Sequence, residues 1–152
     1  MSLLKPGDPA PNFSGTDQNG NTVTLNDFKG GKLVVYFYPK ANTPGCTAES
    51  CSLSDNYEAI QNQGYKVVGV SADTVKAQKN FSDKYGFPFP LLADTEKHII
   101  KAFGAWGEKK MYGKAYEGIM RYTFLIDENG IITQVFEKVD TKNHAKQIIG
   151  IL

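Results

Sequence analysis

Residues 32–46 read KLVVYFYPKANTPGC. After Lys32, the run Leu33 to Tyr38 is wholly β-branched, aliphatic or aromatic, with no alternation between apolar and polar positions. Such a run marks a strand covered on both faces. Pro39 ends it, residues 40–45 read as a loop, and Pro44 and Gly45 suit the approach to a helix, one by its fixed φ and the other by its lack of a Cβ. Cys46 then falls in the first turn of a helix predicted over residues 46–62. A buried strand handing a loop to a helix start belongs to sheets with helices on their faces, whose functional loops lie at the strands' C-terminal ends.

The flanking sequence repeats the pattern. A second buried strand is predicted over residues 66–72 (KVVGVSA), followed by a helix over 74–85 that Gly86 closes. A short strand over 87–94 and a short helix over 96–103 come next. Residues 104–118, which hold the only tryptophan, Trp106, read as a long glycine-bearing loop. Two hairpins are expected, one around Gln18-Asn19-Gly20-Asn21 within residues 12–25, the other around Asp127-Glu-Asn-Gly130 between strands 121–127 and 131–138. The Pro6 to Pro11 stretch reads as extended coil, and a brief helix from about residue 141 to the end closes the chain. The expectation is an α/β fold with a central mixed β-sheet flanked by helices and an N-terminal β-hairpin extension. With no repeat or linker, residues 1–152 read as one domain.

Composition narrows the function. The chain has 152 residues, 41% hydrophobic and 22% charged, ordinary for a globular protein and too apolar for disorder. Seventeen Lys+Arg against sixteen Asp+Glu leave no basic excess for a nucleic-acid partner. No apolar run approaches the ~20 residues of a membrane span. Pro6, Pro9 and Pro11 argue against a signal peptide, so a cytoplasmic protein is expected.

Cys46 and Cys51 are the only cysteines, too few for a disulfide scaffold. Zinc would need further ligands, and His98 and His144 are far apart in sequence. At a helix start, unpaired N–H groups and the dipole favour a thiolate at Cys46; the plainer alternative is a small buried residue. Cys51 lies five positions on. In an intact helix that spacing puts the two Cα atoms about 8–9 Å apart, beyond the about 4.4–6.8 Å of a disulfide. They either pair after the helix opens or are two unrelated thiols. Among the basic residues sixteen are lysine, and Arg121 is the single arginine. Its planar donor fork and persistent charge suit a role lysine fills badly; the alternative is a surface ion pair.

The segment from Phe37 through Thr43-Pro-Gly-Cys46 to Glu49-Ser-Cys51 resembles the active-site segment of the peroxiredoxins, and its C-x4-C places it with the bacterioferritin comigratory protein, or PrxQ, subfamily. Gly7 to Phe13, Leu25 to Gly30, Val68 to Ser71, Phe89 to Asp94, Trp106-Gly-Glu-Lys, Tyr112-Gly-Lys and Arg121 to Asp127 resemble family segments in the same order. The resemblance implies a thioredoxin-like fold and thiol-dependent reduction of hydrogen peroxide and organic hydroperoxides, with no metal, haem or flavin. Cys46 would be peroxidatic and Cys51 resolving, their disulfide being reduced by thioredoxin or a similar dithiol. Thr43 and Arg121 would position the peroxide oxygens, Pro39 would shield the pocket and shape the loop, and Glu49 would orient Arg121. A monomer is expected. Two departures stand out: Ser54 where the subfamily often has arginine, and Gln78 where it often has histidine.

Two other readings compete. A thioredoxin-like disulfide oxidoreductase would share the fold, but it uses C-x2-C and a proline before the late strand, where this chain has Met120-Arg121-Tyr122-Thr123. A redox sensor or holdase would capture partners through residues 104–118.

Overall fold

The structure is a computed structural model that describes residues 4–150. Its strands are β1 (Ser14–Thr16), β2 (Thr22–Thr24), β3 (Lys32–Phe37), β4 (Tyr65–Ser71), β5 (Leu91–Ala93), β6 (Trp106–Met111), β7 (Lys114–Ile119), β8 (Thr123–Ile126) and β9 (Ile132–Phe136). The helices are α1 (Pro44–Asp55), α2 (Tyr57–Asn62), α3 (Val75–Tyr85), α4 (His98–Ala102) and α5 (His144–Ile149), with a 3₁₀ turn at Leu25–Phe28. The central sheet runs β5-β4-β3-β8-β9. β3 is parallel to β4 and β4 to β5, while β8 is antiparallel to β3 and β9 to β8. This is the mixed sheet expected, and β1–β2 is the expected N-terminal hairpin.

Strand periodicity divides the core into two layers. Leu33, Val35 and Phe37 of β3 face one side, with Val68, Val70, Phe124 and Ile126, and there meet Ile99, Ile100 and Phe103 from α4 and its end. Val34, Tyr36 and Tyr38 face the other side, with Val67 and Leu125, and there meet Leu53 of α1, Ile60 of α2, Phe81 of α3 and Ile148 of α5. Side chains at i and i+2 share a face, so a continuous apolar run is what a strand between two layers requires. Gly69 serves the second layer: a Cβ there would lie 2.8 Å from Tyr36 Cζ and 2.9 Å from Leu91 Cδ2. The missing side chain lets the Tyr36 ring cross β4 and set its hydroxyl 2.8 Å from Ser50 Oγ on α1.

Both expected turns are closed by an aspartate. Asp17 Oδ1 accepts from the backbone N–H of Asn19 and Asn21, and Asp127 Oδ1 from those of Asn129 and Ile131, while Gly20 and Gly130 take φ of +82° and +77°. Helix α3 starts at Thr74, whose side chain accepts from Ala77 N, and ends at Gly86 with φ +65°, as read from the sequence.

Four elements depart most from their expected bounds. Residues 104–118 are not a loop: β6 and β7 pair antiparallel across Tyr112-Gly113, both at positive φ. This hairpin stays outside the central sheet, so its strands carry no buried run to announce them. The helix expected over 46–62 breaks at Asn56 (φ −111°, ψ 14°), whose Nδ2 donates to Ser52 O. The strand expected over 87–94 shortens to Leu91–Ala93, preceded by Pro88 and Pro90, which offer no N–H for a ladder. The last helix runs from His144 to Ile149; residues 151 and 152, included in the sequence reading, lie outside the described residues.

Candidate active site

β3 ends at Phe37, and the chain passes through residues 38–43 into α1 at Pro44. Backbone Ala41 N–H donates to Asp73 Oδ2 at 2.8 Å, Tyr85 Oη donates to Asn42 Oδ1 at 3.3 Å, and Asn42 itself sits at φ +61°. Asp73 is fixed in turn by Ser71 Oγ at 2.6 Å, and Ser71 Oγ accepts from buried Gln78 at 2.9 Å. Gln78, noted in the sequence only as a departure, also donates to Leu92 O and accepts from Tyr38 Oη, so it joins the residue that follows β3 to β4 and β5. Thr43 is the residue before α1, and its Oγ1 donates to Lys40 O at 2.8 Å.

Cys46 lies in the first turn of α1, 1% exposed. Arg121, two residues before β8, reaches it across the sheet: β8 is antiparallel to β3, so its start lies beside the end of β3. Arg121 Nη2 is 3.3 Å from Cys46 Sγ, and Nη1 is 2.8 Å from Glu49 Oε1. One guanidinium therefore holds a carboxylate with one arm and points the other at the sulfur, the forked geometry that distinguishes arginine from lysine. The guanidinium lies over Gly45, where a Cβ would stand 3.4 Å from Nη2, an ordinary contact. Cys51 sits on the same helix, half-buried, and both thiols are free. Pro39 is half-buried between β3 and the loop. A cavity lined by Leu25, Phe28, Leu33 and Ile126 opens at the opposite end of the sheet, away from this chemistry.

Burial sets the electrostatics. Glu49 is fully buried, and desolvation pushes its carboxyl up to about 7 against the pull of Arg121. The carboxylate and the thiol together raise Arg121 further despite its own partial burial. Burial, and next the charge of Asp55, push the Cys51 thiol up. Lys109 of β6 is half-buried close enough to feel both Arg121 and Cys46, and burial is the larger cause of its lowered value. Lys109 figures in the sequence only as the end of the Trp106-Gly-Glu-Lys segment, which does not single it out for a role. Nor did the sequence pattern single out buried His144 and Thr123, which stand behind Glu49.

The Glu49 shift has a sign that can be tested. A folded carboxyl raised from 4.5 to about 7 contributes stability that is fully present below about 4.5 and is lost as pH rises to about 7. At 1.36 kcal/mol per unit the loss is roughly 3 kcal/mol. Urea unfolding of wild type and Glu49→Gln between pH 4.5 and 8 should show the wild type losing that amount relative to the variant. Parallel curves would mean that Glu49 is ionised throughout.

Residues 6–135 match the AhpC/TSA family. The chain is 45% identical over 150 residues to peroxiredoxin Bcp of Escherichia coli (strain K12), covering 99% of this chain and 96% of that one. Among solved structures it resembles the bacterioferritin comigratory protein of Xanthomonas campestris, described for its alkyl peroxide reduction activity, at 38% identity and a TM-score of 0.87 over 98% of this chain and 94% of that one. It also resembles a Cys-to-Ser variant of PrxQ from Xylella fastidiosa, at 34% identity and a TM-score of 0.92 over 99% and 96%. Likeness at this level, over nearly every residue and through the segment that carries Cys46, makes the chain a member of the AhpC/TSA family, in its Bcp/PrxQ branch of peroxiredoxins.

Proposed function

We propose that Cys46 is the peroxidatic residue of this thiol peroxidase and that hydrogen peroxide and organic hydroperoxides are its substrates. The Cys46 thiolate attacks one peroxide oxygen; the O–O bond breaks, and its electron pair leaves on the other oxygen, which takes a proton to become water or an alcohol. Cys46 is left as a sulfenic acid. The observation that carries this reading is the guanidinium of Arg121, 3.3 Å from Cys46 Sγ and 2.8 Å from Glu49 Oε1. A donor fixed there stabilises charge on the leaving oxygen without having to reorganise as the bond breaks.

The remaining residues divide the work. Thr43 spends its O–H on Lys40 O, so its free lone pairs are available to accept the hydroperoxide O–H. Pro39 shapes the loop and keeps water from the pocket. Glu49 orients Arg121 and takes no proton from substrate, because its Oε1 is occupied and the residue is fully buried. Cys51 then attacks the Cys46 sulfenic acid, forming the disulfide and releasing water, and a dithiol such as thioredoxin returns both thiols. Both cysteines lie on α1 of one chain, which supports turnover by a monomer.

NADPH oxidation coupled through thioredoxin reductase and thioredoxin tests the cycle, with hydrogen peroxide and an organic hydroperoxide compared. Peroxide-dependent NADPH consumption that vanishes in Cys46→Ser is the expected result. Reduction of protein disulfides without peroxide consumption would favour a thioredoxin-like oxidoreductase instead.

A further inference from the structure

The carboxyl group that holds Arg121 uses only one of its oxygens. Glu49 Oε2 is buried and has no hydrogen-bond partner among the described residues. His144 Nε2, in the first turn of α5, lies 3.8 Å from it, and both side chains are 0% exposed. The other contacts of the imidazole define its hydrogen. Nδ1 is 2.8 Å from Gln147 Oε1, which also accepts from Asp140 N and is therefore an acceptor, so Nδ1 carries the proton. The neutral ring then has one lone pair on Nε2, which accepts from the Thr123 hydroxyl 2.8 Å away, and Glu49 Oε2 stands 3.8 Å from that nitrogen without a donor. A buried carboxylate oxygen with no donor is costly, and one proton, held by the carboxyl or by the imidazole beside it, removes that cost.

We propose that Glu49 and His144 bind one proton as a pair behind Arg121, with His144 a positioning residue that sets how much negative charge Glu49 presents to the guanidinium. The inference rests on the reading of Cys46 and Arg121 as the reacting centre. Other titratable groups bear on the pair: Arg121 and Asp140 act on the imidazole, Tyr36 of β3, kept protonated by burial, faces Glu49, and beyond Arg121 stand Cys46 and Lys109. The Phe136 ring meets the imidazole edge to face, with centroids 5.6 Å apart, and adds no charge. While the pair holds its proton, the guanidinium charge is directed at Cys46 Sγ and the peroxide. Once the proton leaves, a full carboxylate competes for it. Peroxide reactivity therefore carries a pH transition that belongs to the pair, not to either residue alone.

Two histidines make the test direct, since His98 is exposed and serves as an internal control. Imidazole resonances of the full chain, followed by NMR against pH, should show the His144 midpoint lower in Glu49→Gln than in wild type. The expected shift is about one unit, a tenfold fall in proton affinity, with His98 unmoved. Single-turnover peroxide consumption by His144→Gln should have its transition displaced to lower pH by a similar amount. If that variant does not fold, the NMR comparison decides alone. Equal His144 midpoints in the two proteins overturn the pair. So does a folded His144→Gln whose pH profile superimposes on wild type, which would make His144 a tether between α5 and Thr123. Neither result removes peroxide turnover by the wild type, whose absence would instead defeat the reading of Cys46.

Discussion

Arg121→Lys is expected to reduce peroxide about 10²–10³-fold more slowly than wild type, the cost typical of losing one fixed transition-state donor. The substitution keeps the charge and removes the fork. Nη1 and Nη2 now serve Glu49 and Cys46 at once, at 2.8 and 3.3 Å. A lysine ammonium is a compact, strongly hydrated point charge and cannot occupy both places. Beside buried Glu49 it would be drawn to the carboxylate and away from the sulfur. Lys109 sharpens the interpretation: it already brings a second positive charge to this neighbourhood, so a slow Arg121→Lys reports geometry and not want of charge. Single-turnover consumption of peroxide by the reduced protein is the measurement. A wild-type rate would reduce Arg121 to a structural ion-pair residue.

The parts of this site legible in the sequence are those set by local pattern. A short, β-branched and aromatic run from Leu33 to Tyr38, closed by a proline, reads as a strand with core on both sides, and Thr-Pro-Gly before Cys46 can be read as a helix entry without knowing the neighbours. Arg121 stood out because it is the one arginine. What stayed hidden depends on tertiary meeting. His144 approaches Glu49 only because α5 returns over α1, and it reaches Thr123 only because β8 lies beneath it. In sequence it is one of two histidines without a partner. The β6–β7 hairpin was missed for a different reason. Residues 114–117 are all exposed and the turn opens on Tyr112 at φ +53°, so neither an apolar alternation nor an Asn-Gly pair marks it. The break at Asn56 was masked because polar residues continue the helical composition on both sides.

Cys51→Ser is expected to reduce one equivalent of peroxide, stall with thioredoxin and over-oxidise at Cys46 more readily than wild type. The argument is geometric. Both cysteines lie within α1, where their Cα atoms stand about 8–9 Å apart, some 2–4 Å beyond disulfide reach. If Cys51 resolves Cys46, α1 must open. The contacts to be broken are few and mostly polar: Tyr36 with Ser50 at 2.8 Å, Ala145 N with Ser52 Oγ at 3.1 Å, and Glu49 with Arg121. Leu53 and Cys46 are the only buried apolar residues α1 contributes to the core, and Ser50, Ser52 and Ser54 are modest helix formers. The weak helix formers lower the cost of opening, and the buried Glu49–Arg121 pair and Leu53 set most of what remains. Opening also acts on the thiol. In the helix, burial and Asp55 hold Cys51 in its protonated, unreactive form, and unwinding relieves the burial, the larger of the two. The disulfide-bonded protein should thus lose helical content and exchange its amides faster between about residues 47 and 55. An oxidised form with α1 intact, or Cys51→Ser turning over normally with thioredoxin, would sink this account; the second result would make the protein a one-cysteine peroxidase with Cys51 a bystander.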